Sequence, residues 1–425
     1  MAPVHSARDS FIAVANEITD KTSALVNLLA KSGVDVDNSS DIALPEFKSQ
    51  SAELRRSRFE ALGALAQLQR MILGPTEHLL QLVTHTPLDL GTLRAIIKLD
   101  IPRAVPMGEP ITFEDLAQRL KVDQDLLKRI IQYSVSNGIF CEDPPGYVQH
   151  TPASTAMMSD KLSYILHWSA DICMASSLSM WEAIKAQNDP NSERKAAFNH
   201  ALNTSDPLYE YLMKDNVLAA IFKKIVSEDF AINEINPTQV ATAYNWSKLG
   251  KGTVVDVGGS VGIVSMAVAR LHPNLRFIVQ DLPETIQMAR EEVPPDLQDR
   301  VIFQSHDFFT PQKVKADAFY LRFILHNWSD ADVERIIHNL RPSFRHGTKL
   351  LINERVVRSD VATGSLEDKS NRIHDLGMMI LFNAQERTLG RYQAIITKVE
   401  PRLSYVGLTR AGDDHVSVME WEYLE

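Results

Sequence analysis

Val254-Val255-Asp256-Val257-Gly258-Gly259-Ser260-Val261-Gly262 is the stretch that decides how this chain is read. A short β-branched run with little polar interruption is a strand buried on both faces, and here it ends in a glycine-rich turn that opens the helical pattern Ile263 to Leu271. Strand, glycine turn and helix in that order begin a βαβ unit, with loop amides and a helix N-terminus presented to a ligand. A tight turn with no ligand would also select Gly258, Gly259 and Gly262, so the loop alone is a weak signal. About 20 residues further on, Asp281 ends the run RFIVQD, where an acid can accept hydrogen bonds from two ribose hydroxyls. Asp307, in SHDFF, closes the next run. DAFYLRF and KLLINERVV follow, alternating with helical stretches. The C-terminal part therefore reads as α/β, with a mostly parallel, doubly wound sheet whose strand ends carry Asp256, Asp281 and Asp307 at the edge where such sheets bind ligands.

The spelling of the loop narrows the ligand. Pyrophosphate-bearing cofactors favour G-x-G-x-x-G, whereas this loop is D-x-G-G-x-x-G. The leading Asp256 would repel a pyrophosphate but suits the ammonium and sulfonium charges of S-adenosylmethionine, directly or through water. Capping the turn is a structural role open to the same side chain.

Composition sets the frame around this domain. The chain has 425 residues, 44% hydrophobic and 23% charged, which suggests soluble, folded protein in two domains. A formal charge of -10 argues against nucleic acid as a partner. Cys141 and Cys173 are too few and too far apart for a disulfide framework or a zinc pair, so a reduced interior is expected. With no basic-then-apolar leader and no bilayer-length apolar run, the expected location is the cytoplasm, away from membranes. Upstream, helical spacing runs from Ser10 to Ala30, a polar linker from Ser32 to Ser51, and a second helix through Leu62, Leu65, Leu68 and Ile72 until Gly74-Pro75 stops it. Their apolar faces need covering, by a second copy of the chain or equally by its own other domain. Thr112 with Asp115, and then Asp123, read as caps of a helix-turn-helix pair, and residues 138–148 as a two-stranded wing. Lys128 and Arg129 are the second helix's only basic residues, sparse for groove reading, so the unit is taken as a packing module. Residues 159–235 read as mostly helix, their aromatics Tyr164, Trp168, Trp181, Phe198, Tyr209, Tyr211 and Phe222 mainly as core. The boundaries that follow are 1–158, 159–236 and 237–425.

In its motifs VVDVGGSVG, IVQDLP, SHDFF, LRFILHNWSD, INERVV and DLGMMILFNAQERT, taken in that order, the chain resembles the plant- and fungal-type small-molecule O-methyltransferases over roughly residues 60–420. The resemblance implies a class I, Rossmann-like methyltransferase domain that binds S-adenosylmethionine, and an N-terminal, winged-helix-like domain that makes a homodimer. It implies a general base at His326, flanked by Glu354 and Glu386; a carboxylate on one imidazole nitrogen would leave the other to take the acceptor's proton. Arg322, one turn before the base, matches a position near the cofactor, and Leu282 and Phe308 match residues that flank the adenine. Met379 and Asn383, together with Phe198, Leu202, His167 and Asn327, are the expected acceptor contacts, and no metal is expected. Two positions depart from the family: Ser260 replaces a usual third glycine, expected to be tolerated because serine is small, and Asn327 replaces a usual aspartate. The rival within this fold is a pericyclase or dehydratase that keeps S-adenosylmethionine without spending it, with His167 and Arg322 polarising a carbonyl. From other classes, an NAD-dependent oxidoreductase is disfavoured by the loop spelling and a winged-helix regulator by the charge.

Overall fold

The computed structural model describes residues 7–34, 51–188, 195–226, 241–289, 293–358, 364–410 and 416–424. The chain divides into two compact units, one of Met1–Ala175, Val217–Ile225 and Thr363–Lys369, the other of Ser176–Asn216, Val226–Ala362 and Ser370–Glu425.

In the first unit, helix Ala7–Lys31 is followed by a helix that runs Ala52–Lys98. Gly74, at φ 66° and ψ 174°, does interrupt the second helix, but Pro75 does not end it. Proline lacks only the N–H that a first helical turn leaves unused, so Pro75 starts a new segment at once instead of a loop. Most of the proposed 32–51 linker lies outside the described residues. The Thr112 hydroxyl accepts from the amide of Asp115 to start helix Phe113–Leu120, and the Asp123 carboxylate accepts from that of Leu126 to start Gln124–Ser136. The wing has three strands, not two: β1 (Ile111–Thr112) joins β2 (Phe140–Glu142) and β3 (Tyr147–His150) in the order β1-β3-β2. A strand of two residues, the second of them the Thr112 cap itself, gave no period for sequence reading to find. The aromatics of 159–235 are a partial miss. Trp168 and Phe198 are buried, while Trp181 is 63% and Tyr209 44% exposed.

The second unit is built on β4 (Thr253–Val257), β5 (Arg276–Asp281), β6 (Val301–Ser305), β7 (Ala318–Arg322), β8 (Lys349–Val357), the short β9 (Arg387–Thr388), β10 (Leu403–Arg410) and β11 (Val416–Tyr423). The main order is β10-β11-β8-β7-β4-β5-β6, with β9 beside β8. Strands β4 to β8, in the spatial order β8-β7-β4-β5-β6, pair in parallel, and β11 and β10 close one edge antiparallel. Period-two alternation gives each face its core. Val255 and Val257, Phe319 and Leu321, Leu350 and Ile352, and Met419 and Trp421 pack on one face. Val254, Ala318, Tyr320, Leu351 and Val418 pack on the other. Because the chain passes outward from β4 to β6 and then returns to β7 on β4's other side, the loops after β4 and β7 flank the topological switch point, where open sheets hold ligands.

Candidate active site

The loop after β4 is held by the protein's own atoms. A Cβ on Gly258 would lie 2.5 Å from Ile324 Cδ1, one on Gly259 2.5 Å from the Asp256 Cγ and 2.8 Å from Val279 Cγ1, and one on Gly262 2.8 Å from Phe303 Cζ. The glycines are therefore required by packing, before any ligand is considered. Ser260 has φ 51°, the left-handed region that a glycine enters without strain. The departure at this position is thus one of backbone conformation as well as of side-chain size. Asp256 is 3% exposed beneath the loop and accepts from the Ser265 hydroxyl at 2.6 Å. Burial, with Asp281 nearby, pushes its carboxyl up to about 6 against the Ser265 bond and Arg322.

Asp281 ends β5 half-buried, its Oδ2 accepting from the Ser260 amide and its Oδ1 from the Leu282 amide, each at 2.8 Å. The Thr285 side chain also hydrogen-bonds this carboxylate, leaving about one of its roughly four acceptor sites free. Burial raises this carboxyl above its ordinary value, partly offset by those amides. Leu282, next in the chain, is 52% exposed, and the half-buried Phe308 has its ring edge 3.6 Å from where a Cβ on Gly258 would lie. A carboxylate with acceptor capacity to spare, next to an exposed leucine, suits a ribose hydroxyl. Asp307 lies two residues past β6, exposed, its Oδ1 accepting from the Phe309 amide. Arg322 is the last residue of β7, not a turn of helix before the base; its guanidinium donates to Asn353 at 2.6 Å and lies 4.4 Å from the Phe323 ring centre.

The loop after β7 carries His326, 9% exposed, in the short helix Leu325–Asn327. Its Nδ1 lies 2.9 Å from Glu386 Oε1 and 3.8 Å from Glu354 Oε2. The two acids are not equivalent. Glu386 holds the ring by hydrogen bonding, whereas the Oε1 of Glu354 accepts from the amides of Ile324 (2.9 Å) and Leu325 (2.7 Å) and so fixes the backbone that presents the ring. Arg387, 1% exposed, grips the other side of this loop, donating to the carbonyls of Leu325 (2.8 Å) and Trp328 (2.6 Å) and to Asp330. Sequence reading missed Arg387, although it sits in the quoted AQERT motif, because arginine is ordinarily a surface residue. Burial pulls the His326 imidazole down, but the charges of Glu354 and Glu386 outweigh it, leaving the ring above its ordinary value near 6.5. Burial likewise raises Glu354. Glu354 Oε2 and Glu386 Oε2 are buried with no hydrogen-bond partner. One ligand atom from each of these three side chains lies within 4.8 Å of the others, a geometry that could also take a divalent cation.

A cavity of about 400 Å³ lies in the same unit, lined by Met180, Ala183, Ile184, Gln187, Ala197, Ser329, Asp330, Asp375, Leu376, Met379, Asn383, Ala384 and Gln385. It brings together Met379 and Asn383 of the expected acceptor set. Phe198, Leu202 and Asn327 do not line it: Phe198 is wholly buried with its ring 5.2 Å from that of Tyr211, and the Asn327 amide donates to the Phe323 carbonyl and the Tyr209 hydroxyl. His167 belongs to the other unit.

The O-methyltransferase domain family matches residues 181–399, and the O-methyltransferase dimerisation domain family matches residues 88–160. The 6-hydroxytryprostatin B O-methyltransferase of Aspergillus fumigatus is 34% identical over 345 residues, spanning 78% of this chain and 98% of the relative. The crystal structure of OxaC superposes with a TM-score of 0.78 at 20% identity, over 99% of this chain and 100% of that one. LepI in complex with SAM superposes at 0.70 with 19% identity, over 96% of this chain and 100% of that one. At these identities the two structures speak for the fold alone.

Proposed function

This chain belongs to the O-methyltransferase family, and on that premise we propose that it uses S-adenosylmethionine to methylate a hydroxyl of a small, flat, largely apolar secondary metabolite, with His326 as general base. The observation that carries the reading is the buried His326–Glu386 hydrogen bond on a loop fixed from both sides by Glu354 and Arg387. The cofactor is held by Asp281, Leu282, Phe308 and the loop after β4, and when bound it supplies a methyl group that is already electrophilic. The protein's task is to position the acceptor oxygen and remove its proton. With Nδ1 engaged by Glu386, Nε2 is the nitrogen left to accept that proton. A phenol titrates near ~10 and an ordinary imidazole near ~6.5, so transfer between them is uphill. The neighbouring carboxylates narrow that gap by raising the imidazole, and they stabilise the imidazolium that forms.

The match at residues 88–160 also supports a homodimer, as do the exposed Leu79, Leu80, Leu82, Val83 and Leu88 of helix Ala52–Lys98, which a second copy would cover. No helix among the described residues is long and apolar enough to cross a membrane, and neither described cysteine is in a disulfide.

The test is stoichiometry: the purified protein, a panel of hydroxylated aromatic acceptors and S-adenosylmethionine should yield S-adenosylhomocysteine and methylated product one for one, undiminished by EDTA. Substrate conversion without S-adenosylhomocysteine would identify a pericyclase or lyase instead, and loss of turnover in EDTA would make His326, Glu354 and Glu386 a metal site.

A further inference from the structure

The loop after β7 holds one residue in a conformation that its type rarely accepts. Phe323, which follows β7 directly, has φ 51°, the left-handed region where a bulky side chain crowds its own backbone. Such a conformation persists only where the surroundings fix it. Here they do so on both sides of the residue: its amide donates to the Asn353 carbonyl at 3.2 Å, and its carbonyl accepts from the Asn327 side-chain amide at 3.1 Å. An aspartate at 327 would have no N–H for that carbonyl. What the strained backbone delivers is a ring. The Phe323 phenyl is stacked on the His326 imidazole, with centres 5.3 Å apart and planes 24° from parallel. The Arg322 guanidinium, itself bonded to Asn353, packs 4.4 Å from the same phenyl centre. The imidazole is thus held at an edge by Glu386 and on its face by Phe323.

We propose that Phe323 is a positioning residue of the reaction, whose ring holds the His326 imidazole in place and stabilises it as it takes the acceptor's proton. This rests on the reading of His326 as the base. Glycine would enter φ 51° without strain, so what phenylalanine adds at this position is the ring contact. A phenyl face within about 6 Å attracts an imidazolium more than a neutral imidazole, because the face of the ring carries the negative end of its quadrupole. The charged groups around the imidazole are Glu354 and Arg355 of β8, Glu386, Arg387 on the far side of the loop, and Arg322 against the phenyl. Substitutions at 323 leave all of them in the chain.

Three variants of the full chain test this. Phe323→Leu keeps the bulk and the backbone strain but removes the π face, Phe323→Tyr keeps the face, and Phe323→Gly removes the ring while relieving the strain, should the leucine variant not fold. Phe323→Leu should lower kcat roughly 3- to 30-fold, the usual worth of a cation–π contact, with acceptor KM and S-adenosylmethionine affinity within about twofold of wild type. Its rising limb of kcat/KM should move to lower pH, because the contact favours the charged form of the base. Phe323→Gly should behave likewise, and Phe323→Tyr should stay within about threefold of wild type. The imidazole gives a readout apart from activity: the NMR signal of the His326 ring, assigned by its absence in His326→Gln, should titrate at lower pH in Phe323→Leu than in wild type. An unchanged His326 midpoint in the leucine and glycine variants, or a rate lost equally in Phe323→Tyr, overturns the proposal. A lowered midpoint with undiminished turnover shows the contact but removes His326 as the base, and with it the premise.

Discussion

The two loops that meet at the switch point differ in how much they leave undone. After β4 almost everything is internally satisfied: the spaces above Gly258, Gly259 and Gly262 are taken by Ile324, Asp256, Val279 and Phe303, Asp256 is tied to Ser265, and Asp281 already holds two amides. After β7 the reverse holds, since two buried carboxylate oxygens have no partner and the imidazole between them is electrostatically raised. The difference teaches that a conspicuous motif and reactive chemistry are separate properties. The glycine loop is spelled by packing that any residue with a Cβ would break, while the reactive cluster is assembled from three distant single residues with no local pattern.

The largest expected effect lies on the β7 side. His326→Ala should lower methyl transfer by ~10²- to 10⁴-fold while leaving S-adenosylmethionine affinity nearly unchanged, as kinetics and calorimetry on the same preparation would show. Affinity falling in step with rate would mean that the loops are not separable. On the β4 side the contrast predicts a stability effect that needs no ligand. Gly259→Ala should destabilise the cofactor-free protein by about 1–3 kcal/mol, read from denaturant unfolding, because its Cβ must displace Asp256 or Val279. If unfolding is unchanged and only cofactor binding suffers, the glycine serves the ligand and the contrast is broken.

Sequence reading recovered the doubly wound sheet because buried parallel strands announce themselves as β-branched runs, and the four runs beginning at Val254, Arg276, Asp317 and Lys349 all fall on strands. It also found the caps at Thr112 and Asp123, whose signal is local. What it could not see depends on tertiary placement. The unequal duties of Glu354 and Glu386 and the burial of Arg387 arise from contacts across 29 to 62 residues of chain, which no local window of sequence contains. At Ser260 the sequence offers side-chain size alone, while the left-handed φ of 51° is visible only in the folded chain.

The central claim is that Glu386 tunes His326 as the base, and the pH dependence of kcat/KM tests it most directly. For the wild type, kcat/KM should rise with pH through a midpoint above the ordinary imidazole value near 6.5, because the base must be neutral to act and its carboxylate neighbours favour the charged form. Glu386→Gln keeps an acceptor for the Nδ1 proton but removes the charge, so its midpoint should move to lower pH. Identical midpoints in the two proteins, or a rising limb that persists in His326→Ala, would contradict the account.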